Sequence, residues 1–117
     1  MKIFQFFFLF LNFHLFAQTP FSDTTLDAGI DNIYDVYQGL FGGGAVAFDY
    51  NNDGYEDLFI TGGQGQDVLY NNNGDGTFKD VTKESGLYKE KMIVTTGVSS
   101  ADVNKDGFID LFVTTIA

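Results

Sequence analysis

"AFDYNNDGYEDLF", residues 47–59, sets four acidic side chains, two asparagines and a glycine between two short apolar runs. Counted from the first aspartate, Asp49, Asn51 and Asp53 stand at positions 1, 3 and 5, Gly54 at 6, Tyr55 at 7 and Asp57 at 9. Alternate oxygen-bearing side chains can curl around a hard cation, glycine permits the sharp bend, and the carbonyl at position 7 adds a ligand. Calcium takes about six to eight such oxygens, whereas magnesium keeps its waters and accepts fewer protein ligands. The spacing matches the first half of an EF-hand loop, but the glutamate that motif needs at its twelfth position is replaced by Ile60. A dockerin-type loop fails in the same way. Asp57 is therefore expected to close the site, and the loop to join two strands rather than two helices.

Asp, Asn and Gly also favour turns that hold no metal, so a single loop decides little. The chain, however, repeats itself. "GAVAFDYNNDGYEDLFIT" (44–61) aligns with "GVSSADVNKDGFIDLFVT" (97–114), with nine of 18 positions identical, and the loop recurs as Asp102, Asn104, Asp106, Gly107, Phe108 and Asp110. Its twelfth residue, Val113, is again apolar. Two copies of one donor pattern favour calcium at both. Three carboxylates gathered within ~4 Å repel by several kcal/mol at an effective dielectric of about 20, and a divalent ion relieves that repulsion. Glu56 has no counterpart, since Ile109 takes its place, and is read as solvent-facing.

A second match, "FSDTTLDAGI" (21–30) with "FKDVTKESGL" (78–87), extends the repeat to a unit of about 55 residues. Within the unit "AVAF" (45–48) and "LFI" (58–60) are apolar runs too short for helices, as expected for strands buried on both faces. "DVLYN" (67–71) and "TFKDV" (77–81) come next, separated by the hairpin signal "NNGDG". Four strands per unit in tight succession imply an all-β chain built of β-propeller blades of four antiparallel strands: one complete blade and part of a second, an incomplete propeller. "TKESG" (82–86) predicts one helical turn ending at Gly86, and "LYKEKM" (87–92) a solvated connection. "FGGGA" (41–45) lacks the spacing of a phosphate cradle and is read as close backbone packing, "NNNGDG" (71–76) as a turn, and "GGQGQ" (62–66) as a flexible link.

Residues 1–17 have the layout of a secretory signal peptide: one positive charge at Lys2, an apolar stretch from Ile3 to Phe16, then Ala17 at the cleavage point. The run is shorter than a membrane span needs; retention as an anchor is the alternative to cleavage. Residues 18–117 hold five lysines, no arginine and 16 acidic residues, a formal charge of −11. Such a surface repels nucleic acid and anionic lipid and attracts cations. No cysteine is present and the single histidine, His14, lies in the leader. That excludes a thiol nucleophile, a Ser/His/Asp triad and the usual zinc sites from this segment.

The motifs "GGGAVAFDYNNDGYEDLFITGG", "LYNNNGDGTFKDVTKESGL" and "DVNKDGFIDLFV" together resemble the FG-GAP/VCBS repeat. This is the blade unit of integrin α-type propellers, found also in secreted proteins similar to cartilage acidic protein and the ASPIC/UnbV group. The resemblance implies calcium ligands at Asp49, Asn51, Asp53, Tyr55 (carbonyl) and Asp57, and at Asp102, Asn104, Asp106, Phe108 (carbonyl) and Asp110. It also implies an extracellular recognition or adhesion scaffold that engages a protein or glycan and is non-catalytic in this segment. Residues 18–43 are then a lead-in resembling the end of a repeat, 44–96 the first blade and its connection, and 97–117 the start of a second. The remaining blades are expected in a longer chain. An exported enzyme with catalytic residues beyond 117 is the alternative.

Overall fold

A computed structural model describes residues 20–35, 42–89 and 93–116. The leader expected at 1–17 lies outside them. The apolar runs form strands, and the polar stretches between them form turns: β1 (Ala45–Phe48), β2 (Asp57–Ile60), β3 (Val68–Asn72), β4 (Phe78–Asp80), β5 (Val94–Ala101) and β6 (Asp110–Ile116). Strands β1 to β4 make one antiparallel sheet in chain order, and β5 pairs with β6 in a second. No helix occurs among the described residues, so the chain is all-β as the repeat pattern implies.

Register decides which side chains meet. Val46 lies opposite Phe59 and Phe59 opposite Leu69, which puts the three on one face. Phe48, Phe59, Leu69 and Val81 form the core there, and Val98, Leu111 and Val113 of β5–β6 pack against it. The two sheets thus stack face to face, each burying what the other cannot cover alone. Burial on the opposite face is uneven. Tyr70 is only 1% exposed, because the segment before β1 folds over it: its hydroxyl donates to Asp31 Oδ1 at 3.0 Å and accepts the Asp31 N–H at 3.2 Å. Ala45 and Ala47 of β1 remain exposed and Leu58 and Ile60 of β2 are half-buried, so the expectation of burial on both faces fails at β1 and is met only in part at β2. The lead-in reaches β4, where Ala28 O accepts the Phe78 N–H at 2.8 Å.

Repeated sequence becomes repeated geometry. The Thr61 hydroxyl oxygen accepts the Gly44 N–H at 2.7 Å, and Thr114 does the same for Gly97 at 2.7 Å. Asp23 Oδ1 accepts both the N–H and the hydroxyl of Thr25, as Asp80 does for Thr82. Each of these aspartates opens a turn that ends on a left-handed glycine, Gly29 or Gly86. At 82–86 the turn closes through Ser85 N donating to Val81 O at 2.9 Å, and no further helical turn is added. The close-packing role expected of "FGGGA" is met at Gly44, where a Cβ would lie 2.8 Å from the Val98 nitrogen and 3.0 Å from Gly97 Cα.

Two expectations are corrected. "GGQGQ" is not a flexible link. Gly62 and Gly63 are buried, the Gly62 N–H donates to Asp67 Oδ1 at 2.7 Å, and Asp35 bridges to Gly63. A Cβ on Gly62 would meet the Gln66 carbonyl; the glycines permit a tight corner rather than motion. Nor is the connection after Gly86 wholly solvated. Lys89 lies inside it and pairs with Asp67 at 3.2 Å, with the two side chains 13% and 7% exposed. Its ammonium also reaches the Gly63 and Ile93 carbonyls and the Thr95 hydroxyl.

Candidate metal centre

The acidic loops join β1 to β2 and β5 to β6, so two adjacent antiparallel strands carry each and fix its ends. Asp49 turns its carboxylate onto the loop: Oδ1 accepts the Asp53 N–H at 3.0 Å and Oδ2 the Gly54 N–H at 2.8 Å. Asn51 Oδ1 also accepts the Asp53 N–H at 3.0 Å, its amide nitrogen donates to Asp53 Oδ2 at 2.8 Å, and Asp53 Oδ1 accepts the Tyr55 N–H at 2.9 Å. Asp57 Oδ2 accepts the Tyr50 N–H at 3.0 Å.

All six bonds recur in the second loop. Asp102 accepts from Asp106 N at 3.2 Å and Gly107 N at 3.0 Å. Asn104 accepts from Asp106 N at 3.0 Å and donates to Asp106 Oδ2 at 2.9 Å. Asp106 accepts from Phe108 N at 2.9 Å, and Asp110 from Val103 N at 3.0 Å. Backbone angles agree as well: φ is 59° at Asn52 and 62° at Lys105, and 90° at Gly54 and 89° at Gly107. Nothing lies within 4 Å of a Cβ built on Gly54, so its glycine answers a left-handed φ and not a lack of room.

The carboxylates are not gathered as the spacing predicts. Among the described residues no three acidic side chains meet in a ligating group, because each turns onto loop N–H donors, which offset the mutual repulsion. Those donors favour the ionised form. The Phe108 N–H, and after it the Asn104 amide, hold the Asp106 carboxyl below its ordinary value of 3.8. The position-9 residues differ between loops: Asp57 is fully buried and Asp110 only partly. Asp57 owes its burial to β3, where the Asn72 N–H donates to its Oδ1 at 2.7 Å. Asn71 of the same strand accepts from the Asn51 amide at 3.0 Å, and Asn72 Nδ2 donates to the Glu56 carbonyl at 2.9 Å. Neither asparagine is legible as part of the loop from its spacing. The side chain of Glu56 is exposed, as read, and the Tyr55 ring covers Gly74 of the β3–β4 turn.

The donor set fits a hard cation. Every candidate ligand is an oxygen, three of them per loop are carboxylates, and the only nitrogen among these side chains, the asparagine amide, is engaged by Asp53 or Asp106.

Cartilage acidic protein 1 of Xenopus tropicalis is 35% identical over 60 residues, which cover 51% of this chain and 9% of that protein. The chain thus spans only a small part of the relative it matches. No solved structure matches it significantly. The model of the FG-GAP-like repeat matches residues 49–113, from the first aspartate of the first loop into the strand after the second. With both loops and strands β2 to β5 inside a match that covers more than half of its length, the chain belongs to the FG-GAP-like repeat family.

Proposed function

We propose that this chain is an exported, calcium-binding β-propeller segment that serves as a recognition or adhesion scaffold and carries no catalytic residues of its own. One observation supports it above others: two separate loops share a donor set and six equivalent hydrogen bonds, although half of the aligned positions around them differ. A mere turn does not require that agreement. FG-GAP-like repeats commonly bind calcium and are typical of propeller adhesion and recognition scaffolds, and the formal charge of −11 over 18–117 favours cations.

The first site would use Asp49, Asn51, Asp53, the Tyr55 carbonyl and Asp57; the second Asp102, Asn104, Asp106, the Phe108 carbonyl and Asp110. When bound, calcium would neutralise the carboxylates and tie each loop to its strand pair. The chain's own part is to present those oxygens from a loop whose ends two paired strands fix, and to hold the loop backbone in shape through hydrogen bonds to its N–H donors. The partner is taken to be an extracellular protein or glycan, and the route outward is the leader at 1–17.

Calorimetric titration of the full chain with calcium tests the metal reading. The expected result is two binding events, one lost in Asp53→Ala and the other in Asp106→Ala. An unaltered chain that takes up no calcium, and unfolds identically with calcium and with chelator, would refute it.

A further inference from the structure

We infer that β3 sets the ligands of the first loop, with Asn71 a positioning residue for the Asn51 amide and Asn72 for the Asp57 carboxylate. This rests on reading the loops as calcium sites. The Asn51 amide nitrogen has two hydrogens and both are engaged, one by Asp53 Oδ2 at 2.8 Å and one by Asn71 Oδ1 at 3.0 Å. Its Oδ1 is thereby turned over the loop backbone, where it accepts the Asp53 N–H. Asn71 is oriented in turn, its own amide donating to Asn72 O at 3.1 Å.

Which end of an amide faces a cation decides whether it attracts or repels, so a partner that fixes the nitrogen also fixes the ligand. Removing an outer partner of a metal ligand typically costs about 10–100-fold in affinity. Asn71→Leu is expected to weaken calcium binding at the first loop by about this factor.

Terbium, a calcium mimic whose emission is sensitised by nearby tyrosine, separates the loops. Tyr50 and Tyr55 belong to the first, while Val103 and Phe108 stand at the same positions in the second. The full chain, Asn71→Leu and Asn71→Asp are titrated with terbium and then with calcium by calorimetry, and each is unfolded in chelator. The expected result is a tyrosine-sensitised terbium affinity about 10–100-fold weaker in Asn71→Leu and restored in Asn71→Asp, which keeps the acceptor, with the second calcium event unmoved. An unchanged terbium affinity in Asn71→Leu, failure of Asn71→Asp to restore it, or equal weakening of both events overturns the assignment. An unaltered chain that binds neither ion overturns the calcium reading itself and this inference with it.

Discussion

The main-chain N–H of Asn72 donates to Asp57 Oδ1 at 2.7 Å, from the strand beside the one Asp57 begins. Because Tyr50 N holds the other oxygen at 3.0 Å, the last acidic residue of the first loop is a buried carboxylate clamped between the loop and β3. Hydrogen bonds to a charged group contribute about 1.5–3 kcal/mol each. Asp57→Ala is therefore expected to lower unfolding free energy in chelator by about 3 kcal/mol, and Asp110→Ala by clearly less. Urea unfolding of both variants measures this, and equal losses would count against a role for β3.

Thr61 closes the β1–β2 pair at the end away from the acidic loop, and Thr114 serves the irregular stretch of β5 between Thr95 and Val98. Thr61→Val keeps the shape and removes the hydroxyl that serves the Gly44 N–H. A loss of about 1–3 kcal/mol is expected for that unpaired donor, with Thr61→Ser close to the unaltered chain. If valine and serine behaved alike in urea unfolding, the hydroxyl would have no such part.

Lys89 and Asp67 form an ion pair with little exposure. Breaking such a pair from one side typically costs about 3–5 kcal/mol, because the remaining charge is stranded. Lys89→Met is expected to fall in that range, and the cost should shrink when Asp67→Asn is added. A double-mutant cycle in thermal or urea unfolding gives the coupling. Additive effects would mean that Asp67 is held by Gly62 and Thr95 alone.

Glycines 44 and 54 fail for different reasons when substituted. Gly44→Ala drives a methyl toward Val98 N and Gly97 Cα, pushing the two sheets apart at an expected cost of about 1–3 kcal/mol. Gly54→Ala meets no atom but must hold a φ of 90°, which also costs about 1–3 kcal/mol. Only Gly44→Ala should loosen sheet packing, read as faster hydrogen exchange in both β1 and β5; matching exchange in the two variants would refute the distinction.

Acid and alkali should each erode stability through identifiable groups. Asp23, Asp75 and Asp106 lie below the ordinary 3.8, the first two chiefly through threonine hydroxyls and the third through the Phe108 N–H. Their contribution is present above that value and lost as pH falls through the lowered one. Tyr70 is raised above 10.0, mainly by burial, so its contribution holds below 10.0 and is lost as pH rises through the raised value. Carboxyl titration by NMR and the alkaline unfolding of Tyr70→Phe check both signs; an Asp106 that titrates at the ordinary value would contradict the first.

Much of the fold and of the loops was legible in the residues. "AVAF" and "LFI" became the β1–β2 hairpin, with Asp57 added to the second strand, because runs so short, bounded by glycine and aspartate, have no other regular structure open to them. The acidic loops were legible because a single local chain segment supplies their ligands and the duplication separates signal from chance. "GGQGQ" misled, since glycine-rich composition is the same for a flexible link and for a corner that needs close backbone approach. Only the contacts with Asp35 and Asp67 tell them apart. Lys89 misled likewise, because a charged run reads as solvated until a buried partner is found.

Sequence alone sufficed for what depends on near neighbours: strand, loop and turn, each specified by residues within a dozen positions of one another, with the repeat read by aligning such segments. Tertiary structure decided what depends on register between strands. Asn71 lies 20 residues from Asn51, Tyr70 lies 39 from Asp31, and Thr95 lies 28 from Asp67. No local spacing encodes those meetings, because they arise from how strands align and sheets stack.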